Sequence, residues 1–139
     1  IEIIESEFDV QMEEFALIPD TGGAGAFRGG LGFSRQYRML SEARLSGGAA
    51  KRESQGADGG QHGSNAYVIV NPSTDREQRY PGIVSNVGLR PGDVYRIETA
   101  GGGGVNPPRQ RDPERVAEDV LDGYITLETA REVYGMTEA

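Results

Sequence analysis

Four short stretches with apolar residues read as strands, and the apolar spacing turns helical near the end of the chain. Val10 to Ile18 reads as a strand: Val10, Met12, Phe15, Leu17 and Ile18 stand among acids, and Pro19 closes the run. Phe33 to Leu40 is a second strand. It places Phe33, Arg35, Tyr37 and Met39 on one face and Ser34, Gln36, Arg38 and Leu40 on the other. Ala66 to Val70 is a third, ended by Asn71-Pro72-Ser73. Asp93 to Thr99 is a fourth. It follows the turn signature Arg90-Pro91-Gly92-Asp93, where proline presets φ and glycine takes a positive φ. Asp75 to Tyr80 is polar, and Ile83 to Leu89 is weakly apolar.

The period changes in the last third. Asp112 serves as an N-cap, Pro113 as the first helical residue, and Glu114 suits the positive end of the helix dipole. Val116, Ala117, Val120 and Leu121 form an apolar stripe, and Gly123 ends the helix. Thr126 caps a second helix carrying Leu127, Ala130, Val133 and Tyr134, ended by Gly135. Neither helix is long enough to be stable alone, so this helical hairpin must pack on something. Strands first and helices last predict an α+β fold, mainly β with glycine-rich loops. The expectation is a single domain over residues 1–139, β-rich over 1–104 and with the helical hairpin over 112–135.

Composition changes this picture in one respect. Glycine supplies 21 of the 139 residues, roughly twice its usual share. Only 36% of residues are apolar, so the core is thin and a partner is expected to complete it. Disorder is the competing reading, but the glycines sit in short motifs between strand-like runs. Ser46 to Asn65 is the least structured-looking stretch, with almost nothing to bury. The net charge of −8 disfavours nucleic acid. No apolar run approaches the roughly 20 residues of a membrane span. The chain opens on Ile1 rather than methionine, which reads as a cut piece or an omitted true start. It opens without a charged-then-apolar leader, and the expected location is the cytoplasm.

The candidate chemistry is sparse. Zero cysteines and one histidine exclude thiol catalysis and any Cys/His zinc site made within the chain. Gly101 to Gly104 follows a strand but lacks the closing Gly-Lys-Ser/Thr of a phosphate loop, and Pro107-Pro108 come where a helix should begin. Two readings of the glycine motifs remain. The glycines allow close backbone approach and positive φ, or the amides around Gly29, Gly30, Gly102 and Gly103 form an anion-binding nest. Arg28, inside Gly25-Ala26-Phe27-Arg28-Gly29-Gly30-Leu31-Gly32, either forks onto a carboxylate or phosphate or ties the loop to an internal aspartate such as Asp20. His62, in a polar glycine loop, is an acid–base candidate whose plainer reading is an exposed loop histidine. No serine elbow exists, and pairs such as Glu13-Glu14 and Glu118-Asp119 read as solvated faces.

Taken in order, these motifs resemble the hydantoinase B/oxoprolinase family. The resemblance rests on Pro19 to Gly25, on Phe27-Arg28-Gly29-Gly30-Leu31-Gly32, on Leu89-Arg90-Pro91-Gly92-Asp93 and on Glu98 to Gly104. The tail continues it, with Arg111-Asp112-Pro113-Glu114-Arg115-Val116, Asp119 to Ile125 and Ala130 to Gly135. The likeness is to the C-terminal portion of a much longer chain. Two departures stand out: Val105-Asn106-Pro107-Pro108 replaces an aromatic, Gly, Asp and Pro, and His62 stands where proline is common. Asn65 lies near the family's usual asparagine.

The resemblance implies ATP-dependent activation of a carbonyl or amide oxygen. It implies larger hydantoinase A-like and hydantoinase B-like partners, and it places ATP and a divalent metal in the whole complex rather than on this chain alone. The reaction expected first is ATP-dependent carboxylation of a ketone, as in an acetophenone carboxylase-like complex with a small subunit. Hydrolysis by a 5-oxoprolinase or N-methylhydantoinase is the alternative, and a purely structural assembly module is another. The chain is expected to shape the site, with no catalytic residue of its own. Arg28, Gly29, Gly30, His62, Asn65, Gly102 and Gly103 are the residues expected to meet a substrate or anion.

Overall fold

The computed structural model describes residues 2–48 and 53–137. The chain divides into two units interleaved along the sequence. The first is Ile1–Ala16, Phe33–Lys51 and Ala66–Thr99; the second is Leu17–Gly32, Arg52–Asn65 and Ala100–Ala139.

The first unit holds α1 (Glu2–Glu7), β1 (Val10–Leu17), β2 (Phe33–Met39), β3 (Ala43–Gly48), β4 (Tyr67–Val70), β5 (Gln78–Pro81), β6 (Ile83–Leu89) and β7 (Val94–Glu98). Five strands form one sheet in the order β1-β2-β7-β4-β5, and β3 pairs with β6 in a second. The β2/β7, β7/β4, β4/β5 and β3/β6 pairs are antiparallel. The register sets Tyr37 opposite Tyr95, and their rings stack at 5.1 Å. Val10, Tyr37, Met39, Val70 and Leu89 make the core, with Leu45 and Val87 of the small sheet packed against it. The period-2 pattern of β2 explains the opposite face. There Ser34 donates to Glu14, Gln36 donates to Glu13, and Arg38 donates to Glu13 at 2.6 Å. Gln36 and Arg38 hold the Glu13 carboxyl below its ordinary range.

The turn before β7 is fixed by a buried acid. Gly92 sits at φ +87° and donates its amide to Met39. Asp93 accepts the Arg90 amide at 2.8 Å and the Asn71 side chain at 3.0 Å. The Arg90 amide is the chief cause that lowers the Asp93 pKa below 3.8, with Asn71 and Arg76 adding to it against burial. A depressed folded value means that this contribution is complete above the ordinary aspartate pKa and is lost as pH falls through the folded one. Unfolding followed by fluorescence is therefore expected to show the wild type more stable than Asp93→Asn above the ordinary aspartate range and level with it in acid, where the contribution is gone. In Asp93→Asn the acid limb should flatten below pH 3.8; an unchanged limb sinks the assignment.

Four local features go beyond what the sequence pattern assigned. Residues 2–7 are helical, because Glu2 and Glu5 lie at the favourable end of the turn and Ile4 packs on the core. The polar Asp75 to Tyr80 stretch contributes to β5, an edge strand that needs few apolar residues. Ile83 to Leu89 forms β6, which buries only Val84 and Leu89. The stretch from Ser46 begins inside β3; residues 49–52 lie outside the described residues.

The second unit is built from crossing backbones. Thr21 to Gly32, residues 53–65 and Ala100 to Val105 exchange amides directly. Gly23 donates to Gly102 at 2.8 Å, Gly102 to Gly30 at 2.8 Å, Gln61 to Ala24 at 2.7 Å, and Gly104 to Gln61 at 2.9 Å. A Cβ on Gly101 would overlap the Thr21 carbonyl oxygen, and one on Gly29 would overlap that of Gly102. Close approach, rather than positive φ, is what these two glycines supply. Two helices pack on this lattice: α2 (Pro113–Leu121) and α3 (Leu127–Glu132), after a 3₁₀ turn at Pro108–Gln110. Asp112 and Thr126 cap them through their side chains, and Gly123 and Gly135 take φ of +71° and +79°. Val116, Ile125, Ala130 and Tyr134 bury against Ala24, so the hairpin finds its support in the glycine segments. Leu121, expected in the stripe, is instead 86% exposed at the end of α2. The α+β expectation holds, with antiparallel sheets and helices near the C-terminus.

Candidate functional site

The most buried charged group in the second unit centres on Asp119. Helical spacing puts it one turn from Val116, on the inward face of α2. Arg28 reaches it from the glycine motif, with Nε on Oδ2 at 3.1 Å and Nη2 on Oδ1 at 3.2 Å. Arg111 reaches it from the approach to α2, with Nη2 2.8 Å from Oδ2. The side chains of Arg28, Arg111 and Asp119 are 14%, 9% and 8% exposed. Arg28 also donates through Nη1 to the Gly29 carbonyl, and its guanidinium lies 5.3 Å from the Tyr124 ring centre. Arg111 donates through Nη1 to the Ala26 carbonyl at 3.1 Å. The centre thus ties the glycine segment to the helical hairpin.

Of the two readings of Arg28, this geometry matches the internal tie, with a different partner. Asp20 accepts the Thr126 amide at 3.0 Å at the start of α3, while Asp119 holds the arginine. The pair Glu118-Asp119 is not a solvated face: Glu118 is exposed, but Asp119 is buried. The signal for this was an acid at the spacing of an apolar stripe. Arg111 was missed because nothing in the local pattern marks its side chain as buried.

The other expected residues fall into two groups. The Gly29 amide goes to the Gly23 carbonyl and the Gly102 amide to that of Gly30. Gly101 donates to the Ser64 hydroxyl. These amides are engaged in the lattice, so the lattice does not present them as an anion nest. Gly103 packs on the Gln55 carbonyl, while Gly30 is exposed, with open space where a side chain would stand. His62 is exposed, and its Nδ1 accepts the Gly56 amide at 3.3 Å. Asn65 is half-buried.

Burial pushes the Tyr134 phenol up. Arg111 and the Gly25 backbone offset part of the rise, yet neither meets hydrogen-bond geometry with the hydroxyl. In the first unit a cleft of about 860 Å³ is lined by Glu42, Asp75, Glu77 and Asp93 against Arg44, Arg76 and Arg90. It holds no nucleophile paired with a base. Among the described residues no three His, Cys, Asp or Glu side chains converge as metal ligands. No helix of the described residues is long and apolar enough to cross a membrane.

Comparison with known proteins bears on the whole arrangement. The family model for hydantoinase B/oxoprolinase matches residues 1–108. An uncharacterised protein of Methanocaldococcus jannaschii is 37% identical over 96% of this chain and 24% of its own length. The B subunit of a putative D-/L-hydantoinase from a Pseudomonas species is 32% identical over 99% of this chain and 24% of its own. The crystal structure of the ATP-dependent caprolactamase from Pseudomonas jessenii superposes with a TM-score of 0.80 at 25% identity, over 100% of this chain and 25% of that one. Nucleotide-free acetone carboxylase shares the fold, with a TM-score of 0.74 at 19% identity over 96% of this chain and 22% of that one. The chain spans about a quarter of the length of the curated relatives it matches.

Proposed function

The chain belongs to the hydantoinase B/oxoprolinase family, and from that membership we propose that it forms one portion of a multisubunit ATP-dependent enzyme that opens cyclic amides. The observation that carries this reading is the likeness of the entire chain to an ATP-dependent caprolactamase at a TM-score of 0.80. The 32% identity to a hydantoinase component points to the same substrate class. ATP supplies activation of the amide oxygen, and a hydantoinase A-like partner carries that chemistry together with the metal. This chain shapes the site. Its glycine lattice supplies a rigid backbone surface, and the Arg28–Asp119–Arg111 centre keeps that surface fixed to the hairpin. His62 and Asn65, at the accessible end of the lattice segment 53–65, are its residues for contact with substrate or partner. Ketone carboxylation, the reaction expected first from the sequence, stands second, favoured by the shared fold with acetone carboxylase.

The assay separates the two. The enzyme purified with its partners is expected to release ADP when supplied with ε-caprolactam, 5-oxoproline or hydantoin. ADP release that requires acetone or acetophenone with bicarbonate, and ignores the cyclic amides, replaces hydrolysis with carboxylation. Isolation of the chain with no hydantoinase A-like partner removes the multisubunit reading.

A further inference from the structure

The Asp119 centre is short of negative charge. Two buried guanidiniums share one carboxylate, and among the described residues neither arginine has a second acidic partner. A buried uncompensated charge is costly, so such a centre favours a further anion close by. A cavity of about 480 Å³ in the same unit is placed to hold one. Arg111 forms part of its wall, and its Nε is buried without a hydrogen-bond partner, as is the Tyr134 hydroxyl on the same wall. Arg109 adds a second guanidinium that makes no ion pair among the described residues. It lies against Gly135, with Nη1 2.9 Å from where a Gly135 side chain would begin. Glu114 is the acid on this wall, and it is exposed. Val116, Ala117, Pro113 and Met136 supply apolar lining, and Thr137 adds a hydroxyl.

Two arginines together with apolar lining residues suggest the class of ligand. We propose that this cavity binds a small aliphatic carboxylate, with its oxygens on Arg109 and Arg111 and its chain against Val116 and Met136. Two donors in a planar fork favour a carboxylate over a point anion, and the apolar wall favours a ligand with a tail.

This binding goes beyond the proposed reaction and is measured without ATP or turnover, so its failure and that of the amide-opening reading are distinguishable. Hexanoate labelled with ¹³C at the carboxylate is titrated into the intact enzyme and followed by NMR. Saturable binding is expected, with hexanol and inorganic phosphate each binding at least about tenfold more weakly. Arg109→Ala is the test variant, because Arg109 is exposed and its loss spares the Asp119 centre. It should weaken hexanoate about tenfold, one lost charge-assisted contact, and leave the unliganded melting temperature unchanged. Equal binding of hexanol or phosphate, full affinity in Arg109→Ala, or no saturable binding overturns the proposal. Loss of subunit association in Arg109→Ala, with no hexanoate bound by the wild type, would mean instead that an acidic group of a partner fills the cavity.

Discussion

Asp119→Ala is expected to destabilise the second unit by about 3–5 kcal/mol, because it leaves two buried guanidiniums without their shared carboxylate. Arg28→Ala should cost clearly less. It removes two bonds to Asp119 but leaves that carboxylate matched one to one with Arg111. The order of the two effects is the informative part. A surface ion pair would give small and equal losses, whereas a shared buried carboxylate makes the acid the more costly member to remove. Denaturant unfolding of the assembled enzyme, with limited proteolysis as a local readout, measures both. If Arg28→Ala lowers turnover while leaving unfolding untouched, Arg28 contacts substrate and the internal tie is the wrong account of it.

The second large effect is expected at two adjacent glycines. Gly29→Ala should cost about 3 kcal/mol, since its Cβ would overlap the Gly102 carbonyl and neither backbone can move without breaking neighbouring backbone hydrogen bonds. Gly30→Ala should stay within about 0.5 kcal/mol, because open space surrounds that position. Both substitutions change chain entropy in the same direction, so the difference between them isolates packing. Equal costs, measured by the same unfolding experiment, would mean that the lattice relaxes around a methyl group.

Much of the architecture was legible where a local rule and a tertiary need coincide. The strands from Val10 and Phe33 follow from alternation, and the strand around Val68 follows from a short continuous apolar run that is buried at three successive residues. The caps at Asp112 and Thr126 follow from the chemistry of helix ends. β6 escaped because it pairs only with β3 and buries two side chains, too few to set a pattern. Leu121 was misplaced because a stripe gives the direction of a face and not where its support ends. For the site, the pattern identified Arg28 as a residue with a task but named the wrong aspartate. Its partner stands on α2, far along the chain, and no spacing rule links them. Arg111 and Tyr134 became visible only through burial. The glycine motifs could be read as packing or as anion binding; the Gly29 and Gly102 amides are spent on packing.

That packing has a consequence for how such a chain can change over generations. Every amino-acid substitution reachable from a glycine codon by a single nucleotide adds at least a Cβ atom. At Gly29, Gly101 and Gly104 that atom meets backbone rather than a yielding side chain, so no gentle intermediate lies on any route away from glycine. A core of leucines can drift through isoleucine and methionine, and a lattice of bare backbone cannot. Divergence in this unit is therefore channelled to side chains exposed on the lattice, such as those of His62 and Val105, where alteration leaves the backbone crossings intact.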